Sequence, residues 1–202
     1  HAPAWLRKMF DVMYHDRVHH LHLLLRAGAA ASLFAGSSLA SAVLLFISTV
    51  VILIRWRGAF NGGSDFMTIV ALTGLLVAQL AAPVVGPVLA WKAGLWYITI
   101  HAMTSYFISG AIKMFSADWR NGRALSFFLD GGLYGPLGER SLFRKPAVAK
   151  SCAWAFILWE CCFPLTMAGP EWAMAGCGIA AVFHFLVFRF FGLNRFFWAW
   201  IV

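Results

Sequence analysis

Charged residues are scarce in this chain: Asp, Glu, Lys and Arg make up 12% of its 202 residues, whereas hydrophobic residues make up 61%. A soluble domain usually carries about 25% charged and about 45–50% apolar residues. This composition, with a mean hydropathy of +0.76, excludes an ordinary soluble domain, a disordered chain and a coiled coil. It predicts an all-α, polytopic transmembrane helical bundle that leaves no length for a sizeable extramembrane domain.

Cysteine is also sparse, with four residues in the whole chain. They are Cys152, Cys161, Cys162 and Cys177. None has the spacing of a zinc-binding or redox pair, and four thiols do not make a disulfide scaffold of a chain this long. Because all four lie in apolar stretches, we expect them to be small buried side chains.

Acidic residues are half as numerous as basic ones, with 8 Asp and Glu against 16 Lys and Arg, and the formal net charge is +8. The basic residues flank apolar runs and form no continuous patch, so we expect no nucleic-acid partner. Residues in these positions set membrane topology and face anionic headgroups. The expected partner is therefore the lipid bilayer.

A helix needs about 20 residues to cross a hydrocarbon core of about 30 Å. Six apolar stretches come close to this length. The expected spans are Val18–Ala35, Leu39–Ile54, Phe66–Val85, Gly94–Met114, Ala147–Met167 and Trp172–Phe191. Residues 1–17 precede them as an N-terminal interfacial segment, and residues 18–202 form the transmembrane domain. Only Gly36, Ser37 and Ser38 separate the first two stretches, which indicates a helical hairpin or, alternatively, one interfacial helix and one span.

The loops between these spans differ sharply in charge. The N-terminal segment, the loops Arg55–Asp65 and Phe115–Pro146, and the C-terminal tail would share one side of the membrane. That side holds Arg7, Lys8, Arg17, Arg55, Arg57, Arg120, Arg123, Arg140, Arg144, Lys145 and Arg195, and the other side holds Lys92 alone. Because basic loops stay in the cytoplasm, we expect a multi-pass protein of a bacterial inner membrane whose Arg55–Asp65 and Phe115–Pro146 loops are cytoplasmic.

Small residues recur every four positions on the first span, at Gly28, Ser32 and Gly36. Such a stripe lets helices approach closely in lipid, where packing replaces the hydrophobic effect. It serves either packing within the chain or contact with a membrane protein partner.

Among the ionisable residues inside the expected spans we single out five: Arg26, His101, Lys113, Glu160 and His184. Each costs about 2.5–3.5 kcal/mol at the centre of a membrane helix, so these residues are functional candidates. Glu160 has a short stem and needs either a proton or a cation beside it. We expect a contact with His184 or Arg26, which forms either a polar clasp that fixes packing or part of a proton-handling site.

Lys113 ends the fourth expected span and has two interpretations. Its stem is long enough to lift the ammonium to the headgroups. Alternatively, a desolvated Lys loses its proton readily and serves as a base.

Histidines cluster near the N-terminus, at His15, His19, His20 and His22. His15 and His19 would share a helical face, as paired metal ligands do, and His22 lies near the same stripe. No second cluster of Cys or His completes a coordination shell, so interfacial histidines and a metal or pigment site both stay open. We assign no residue to a metal.

The stretch from Tyr106 to Gly122 reads YFISGAIKMFSADWRNG. It resembles the pattern Y-F-x-x-G-x-x-K-x-x-x-x-D-W-x-x-G of the HTTM family, the membrane domain shared with vitamin K-dependent gamma-carboxylase. The matching residues are Tyr106, Phe107, Gly110, Lys113, Asp118, Trp119 and Gly122. The segments Asn61–Asp65, Ala181–Phe185 and Gly192–Phe197 are similar to the family in order and spacing, so the resemblance covers most of the chain from Leu21 onwards.

The resemblance implies an HTTM-like helical bundle, a quinone cofactor similar to vitamin K, and Lys113 as a catalytic base. Gly63 stands about where the carboxylase has a functional His, so we do not expect gamma-carboxylation itself. In this hypothesis Glu160 and His184 relay protons, and Tyr106, Trp119 and His101 contact the cofactor. The alternative is a non-catalytic transmembrane subunit that anchors or packs within a larger membrane complex.

Overall fold

The computed structural model describes residues 3–36, 38–55, 62–133 and 136–201, and these residues form helices without any strand. The α-helices are α1 (Ala4–Met13), α2 (Asp16–Ser32), α3 (Leu39–Arg55), α4 (Gly62–Val85), α5 (Pro87–Phe115), α6 (Ala117–Arg120), α7 (Arg123–Asp130), α8 (Pro146–Cys162), α9 (Pro170–Phe191) and α10 (Asn194–Ile201). Short 3-10 helices cover Leu142–Arg144 and Phe163–Ala168. The all-α prediction is confirmed. Ser37 of the expected turn, Arg57 of the basic loop and Asn61 of the family-like segment lie outside the described residues.

Each of the six expected spans coincides with a helix, and three of these helices are long and apolar enough to cross a membrane. The three are Gly62–Val85, Pro146–Ala168 and Pro170–Phe191. Helix α3 is apolar but has only 17 residues. Helix α5 has 29 residues but carries Lys92, His101 and Lys113, and α2 contains Asp16, Arg17 and Arg26. The helices indicate a membrane protein, and six spans stay a prediction.

Proline marks the start of three long helices, at Pro87, Pro146 and Pro170. The first residues of a helix have no acceptor for their N–H groups within that helix. Proline lacks this N–H and has a helix-compatible φ, so it is well suited to the first turn. The sequence therefore sets these boundaries locally.

The described residues fall into two compact units, His1–Ile98 and Thr99–Val202. In the first unit α2 packs on α3, and α3 packs on α4. Tyr14, before α2, donates a hydrogen bond to the Val51 carbonyl near the end of α3. Ser32, at the end of α2, bonds to Ser41 near the start of α3. The pairing of early with late residues confirms the antiparallel hairpin.

Polar groups of α3 accept hydrogen bonds from Arg26 of α2. The Arg26 guanidinium donates to Thr49 Oγ1 at 2.6 Å, to Ser48 Oγ at 3.2 Å and to the Leu45 carbonyl at 3.3 Å. His22 Nε2 lies 2.7 Å from Ser48 Oγ. Across the described ranges, no group of three or more His, Cys, Asp or Glu side chains is arranged to hold a metal ion.

Only part of the small-residue stripe lies between α2 and α3. The Ser32 hydroxyl bonds to Ser41 at 2.7 Å. Gly28 is exposed, and a Cβ added there would meet open space. An intermolecular contact at Gly28 stays a prediction.

The prediction that the cysteines are buried is wrong. Cys162 and Cys177 are exposed on the protein surface, and Cys152 and Cys161 are half-buried. An apolar stretch of a membrane helix faces lipid as readily as protein, so hydrophobic neighbours in the sequence did not determine burial within the fold.

The second unit is organised around α8, which packs on α6 and α7. Ala153 of α8 is fully buried and contacts the buried Leu125 and Leu129 of α7. Another core cluster joins Tyr106 of α5 to Phe163. The small Ala153 side chain lets the short helix α7 lie close to α8, and this contact forms one wall of the site below.

Candidate functional site

Lys113 of α5 and Glu160 of α8 form an ion pair inside the second unit. Lys113 Nζ lies 2.6 Å from Glu160 Oε2 and 2.8 Å from Oε1, and it also donates to Ser109 Oγ at 2.6 Å. The exposed fraction of the side chain is 15% for Lys113 and 4% for Glu160. A charge at low dielectric is stable only when it is paired and hydrogen-bonded. The ammonium of Lys113 and the carboxylate of Glu160 provide both interactions for each other.

A close approach of two backbones brings the pair together. A Cβ placed on Gly110 of α5 would stand 2.7 Å from the Cys161 nitrogen and 2.9 Å from the Glu160 Cβ. Only glycine leaves room there. Ser109 and Lys113 are one turn apart on α5, so they share a face, and this face reaches Glu160.

The expectation that Glu160 has a partner is confirmed, but the expected partners were wrong. Glu160 contacts Lys113 and Ser109, not His184 or Arg26. The Lys113 ammonium turns inward to this carboxylate, because an anion in a partly desolvated site attracts it more strongly than distant headgroups. The headgroup-anchor interpretation of Lys113 does not describe this geometry.

An apolar pocket of about 320 Å³ adjoins the pair. Its wall comprises Trp119 of α6, Leu125, Phe128 and Leu129 of α7, Phe143, and residues of α8 and α9 including Phe156, Phe183 and Phe190. Lys113 is the one charged residue among those lining it. Lys113 Nζ lies 5.2 Å from the centre of the Trp119 ring, a cation–π distance.

Tyr106 and His184 form a second polar pair, between α5 and α9. The Tyr106 hydroxyl lies 2.5 Å from His184 Nε2, and both residues are buried. Aromatic rings surround them, including Trp159, Phe163 and Trp200. His184 Nδ1 is buried without a hydrogen-bond partner in the part of the chain that the structure describes.

The residues predicted for the site therefore separate into three places. Lys113 and Trp119 line the pocket, and Glu160 contacts Lys113. Tyr106 and His184 lie together elsewhere, with Tyr106 seven residues, or about 10 Å, along α5 from Lys113. His101 lies half-buried on α5, about 18 Å along the helix from Lys113, and is not among the residues that line the pocket.

Sequence reasoning missed Ser109 and the wall formed by α7. Ser109 could have been found, because a hydroxyl four residues before a buried Lys lies on the same helical face. The α7 wall carries a weaker signal. Helix α7 has Leu125 and Leu129 on one face, but its eight residues are too few for a span. It lies inside the predicted Phe115–Pro146 loop.

Comparisons with known proteins add no assignment. No protein-family model matches the chain, and neither a curated protein nor a solved structure is significantly similar to it.

Removing one member of the ion pair should destabilise the protein more than removing both. Glu160→Leu leaves the Lys113 charge without its partner. Breaking a fully buried pair lowers the free energy of unfolding by about 3–5 kcal/mol. Because Lys113 is partly exposed, we expect a loss of about 3 kcal/mol. Glu160→Gln should lose less, since its amide oxygen still accepts a hydrogen bond. Lys113→Met with Glu160→Leu should recover most of the loss in detergent unfolding experiments.

The matched control is the exposed pair of Arg123 and Asp118, whose side chains are 73% and 62% exposed. Asp118→Asn should change the unfolding free energy by less than about 1 kcal/mol. Equal stabilities of Glu160→Leu and the wild type would contradict a buried, interdependent pair.

Proposed function

We propose that this chain is an HTTM-type multi-pass membrane protein that binds a quinone in its apolar pocket and exchanges protons there through Lys113 and Glu160. One observation carries the proposal: the Lys113 ammonium, held by Glu160, is the charged group in the wall of an otherwise apolar, aromatic pocket. Most small-molecule sites have this character, with an apolar wall and few polar groups.

The family-like motif supports the proposal, because its residues have distinct physical roles around the pair. Gly110 provides the close approach to α8, and Lys113 contributes the charge. Trp119 provides an aromatic face both to the ammonium and to the pocket.

The pocket residues suit a quinone. A cavity of about 320 Å³ is at the lower end of the range for small-molecule sites and suits a ring system. Trp119 and Phe128 provide faces for an aromatic ring, and Lys113 provides a donor for an oxygen. A bound quinone would supply reversible two-electron, two-proton chemistry.

The ion pair can hold one proton in two places. With the proton on Nζ, the site contains an ammonium and a carboxylate. Transfer to Oε2 over the 2.6 Å contact leaves an amine and a carboxylic acid, and the total charge is unchanged. In the second arrangement Lys113 is a base, and the low dielectric narrows the free-energy gap between the ion pair and this neutral form because it penalises charges. Tyr106 of α5 and His184 of α9 form a second hydrogen-bonded pair that can carry a proton.

A non-catalytic role is the second candidate. Ser109 and Glu160 satisfy Lys113 without any ligand, as in a clasp that fixes helix packing. Gly28 of α2 is exposed, and the space around its Cβ position is open, which suits a helix of a membrane protein partner. A subunit of a larger complex would use this face.

Filling the pocket should separate the two candidates. Ala155 lines the pocket, so Ala155→Phe would occupy the space of a ring. We expect it to weaken binding of menadione, a naphthoquinone without a tail, by about ten-fold, equivalent to about 1.4 kcal/mol. Quenching of tryptophan fluorescence in purified protein would measure the binding.

The control is Ala175→Phe, at an exposed position of α9 that does not line the pocket. It should bind menadione like the wild type. Equal affinity in all three proteins would contradict a quinone site here and favour the structural candidate.

For localisation we propose a bacterial inner membrane with the Phe115–Pro146 loop in the cytoplasm, because the basic residues concentrate on that side. Glu139→Cys lies in this loop, and Glu171→Cys lies in a connection expected on the other side; both side chains are exposed. In intact cells an impermeant thiol reagent should label the Glu171→Cys variant well above the wild-type level. Labelling of the Glu139→Cys variant should not exceed that of the wild type. The reverse pattern would invert the topology.

A further inference from the structure

A second cavity lies between α6 and α8, and its chemistry is opposite to that of the aromatic pocket. It measures about 410 Å³ and is lined by Ala117, Arg120, Asn121, Lys150 and Trp154. Two of these five residues are cations and none is an acid. The cavity therefore favours an anion over a neutral or cationic ligand.

Its positive charges are not neutralised by neighbouring acids. Lys150 makes no hydrogen bond or ion pair with the residues that the structure describes, and Arg120 donates through one nitrogen to the Met114 carbonyl at 3.2 Å. The acid on the same short helix, Asp118, is paired with Arg123 at 2.6 Å. Donors of Arg120 and Lys150 thus stay available to a ligand.

The walls of this cavity are fixed by contacts between the two helices. Trp154 Nε1 donates to the Arg120 carbonyl at 3.0 Å. Gly122, two residues after α6, has a φ of 83°, a conformation that favours glycine. A Cβ added to Gly122 would be 2.6 Å from the backbone nitrogen of Lys150. The turn therefore lies directly on α8 and holds Arg120 near Lys150.

An exposed apolar side chain lies close in sequence to this basic cavity. Phe115 is 82% exposed and stands two residues before Ala117 of the cavity wall. Large apolar side chains this exposed mark contact with lipid or protein, and Trp154 stands one turn from Lys150, as an indole at headgroup level does. An anion that binds here meets both cations and hydrocarbon.

We propose that the cavity formed by Arg120, Asn121, Lys150 and Trp154 binds the phosphate of an anionic phospholipid. Arg120 and Lys150 contact the phosphate oxygens, and the Asn121 amide is a further donor. The acyl chains then lie beside the cavity, where the exposed Phe115, two residues before Ala117 of its wall, can contact them. This site is independent of the quinone chemistry, and it uses the contact between the short helix α6 and the start of α8.

The test uses the full chain in detergent, mixed with phosphatidylglycerol, with lipid-bound protein measured by native mass spectrometry. Lys150→Gln and Arg120→Gln should each weaken lipid binding by about five-fold, as expected for one basic residue near an anionic headgroup. Lys145→Gln is the matched control, because it removes the same charge from an exposed residue just before α8 that does not line the cavity. It should bind lipid like the wild type.

Two further arms identify the ligand. Phosphatidylcholine, whose headgroup has no net charge, should bind more weakly than phosphatidylglycerol. Inorganic phosphate should not displace the lipid at equal concentration, because it gains nothing from the apolar flank. Equal losses in Lys145→Gln and Lys150→Gln would overturn the site in favour of general charge. Variant-sensitive binding of free phosphate without lipid binding would overturn the lipid as its occupant.

Discussion

The need to pair a charge in a low-dielectric interior governs this site. Lys113 and Glu160 lie on different helices, and neither ion could remain at this depth alone without a large desolvation cost. Their contact therefore fixes the distance and the rotation of α5 against α8. The glycine at position 110 is a consequence, because the contact distance requires that the two backbones nearly touch.

The pair also places a charged group in an otherwise apolar wall. Aromatic and aliphatic side chains line the pocket, and a low dielectric strengthens each electrostatic interaction inside. In the proposed function, a proton that moves between Nζ and Oε2 would change Lys113 from an acid into a base without changing the net charge of the site.

Much of this arrangement could be predicted from the sequence, and the rest depends on three-dimensional contacts. Apolar runs predicted the long helices, and their position inside the expected spans marked Lys113 and Glu160 as candidates. The choice of partner failed because periodicity places residues on a helix face but does not say which faces meet. The helix that carries Leu125 and Leu129 was missed because eight residues are too few for a span, although its apolar residues recur at helical spacing.

The most direct test of the central claim is an infrared difference spectrum of the purified protein on adding naphthohydroquinone, a ligand with protons to release. If the Lys113–Glu160 pair accepts a proton, the C=O band of a carboxylic acid should appear in the wild type. The band should be absent in Glu160→Gln, and absent when the dimethyl ether of the same ligand is added. No new band in the wild type, or the same band in Glu160→Gln, would contradict the account.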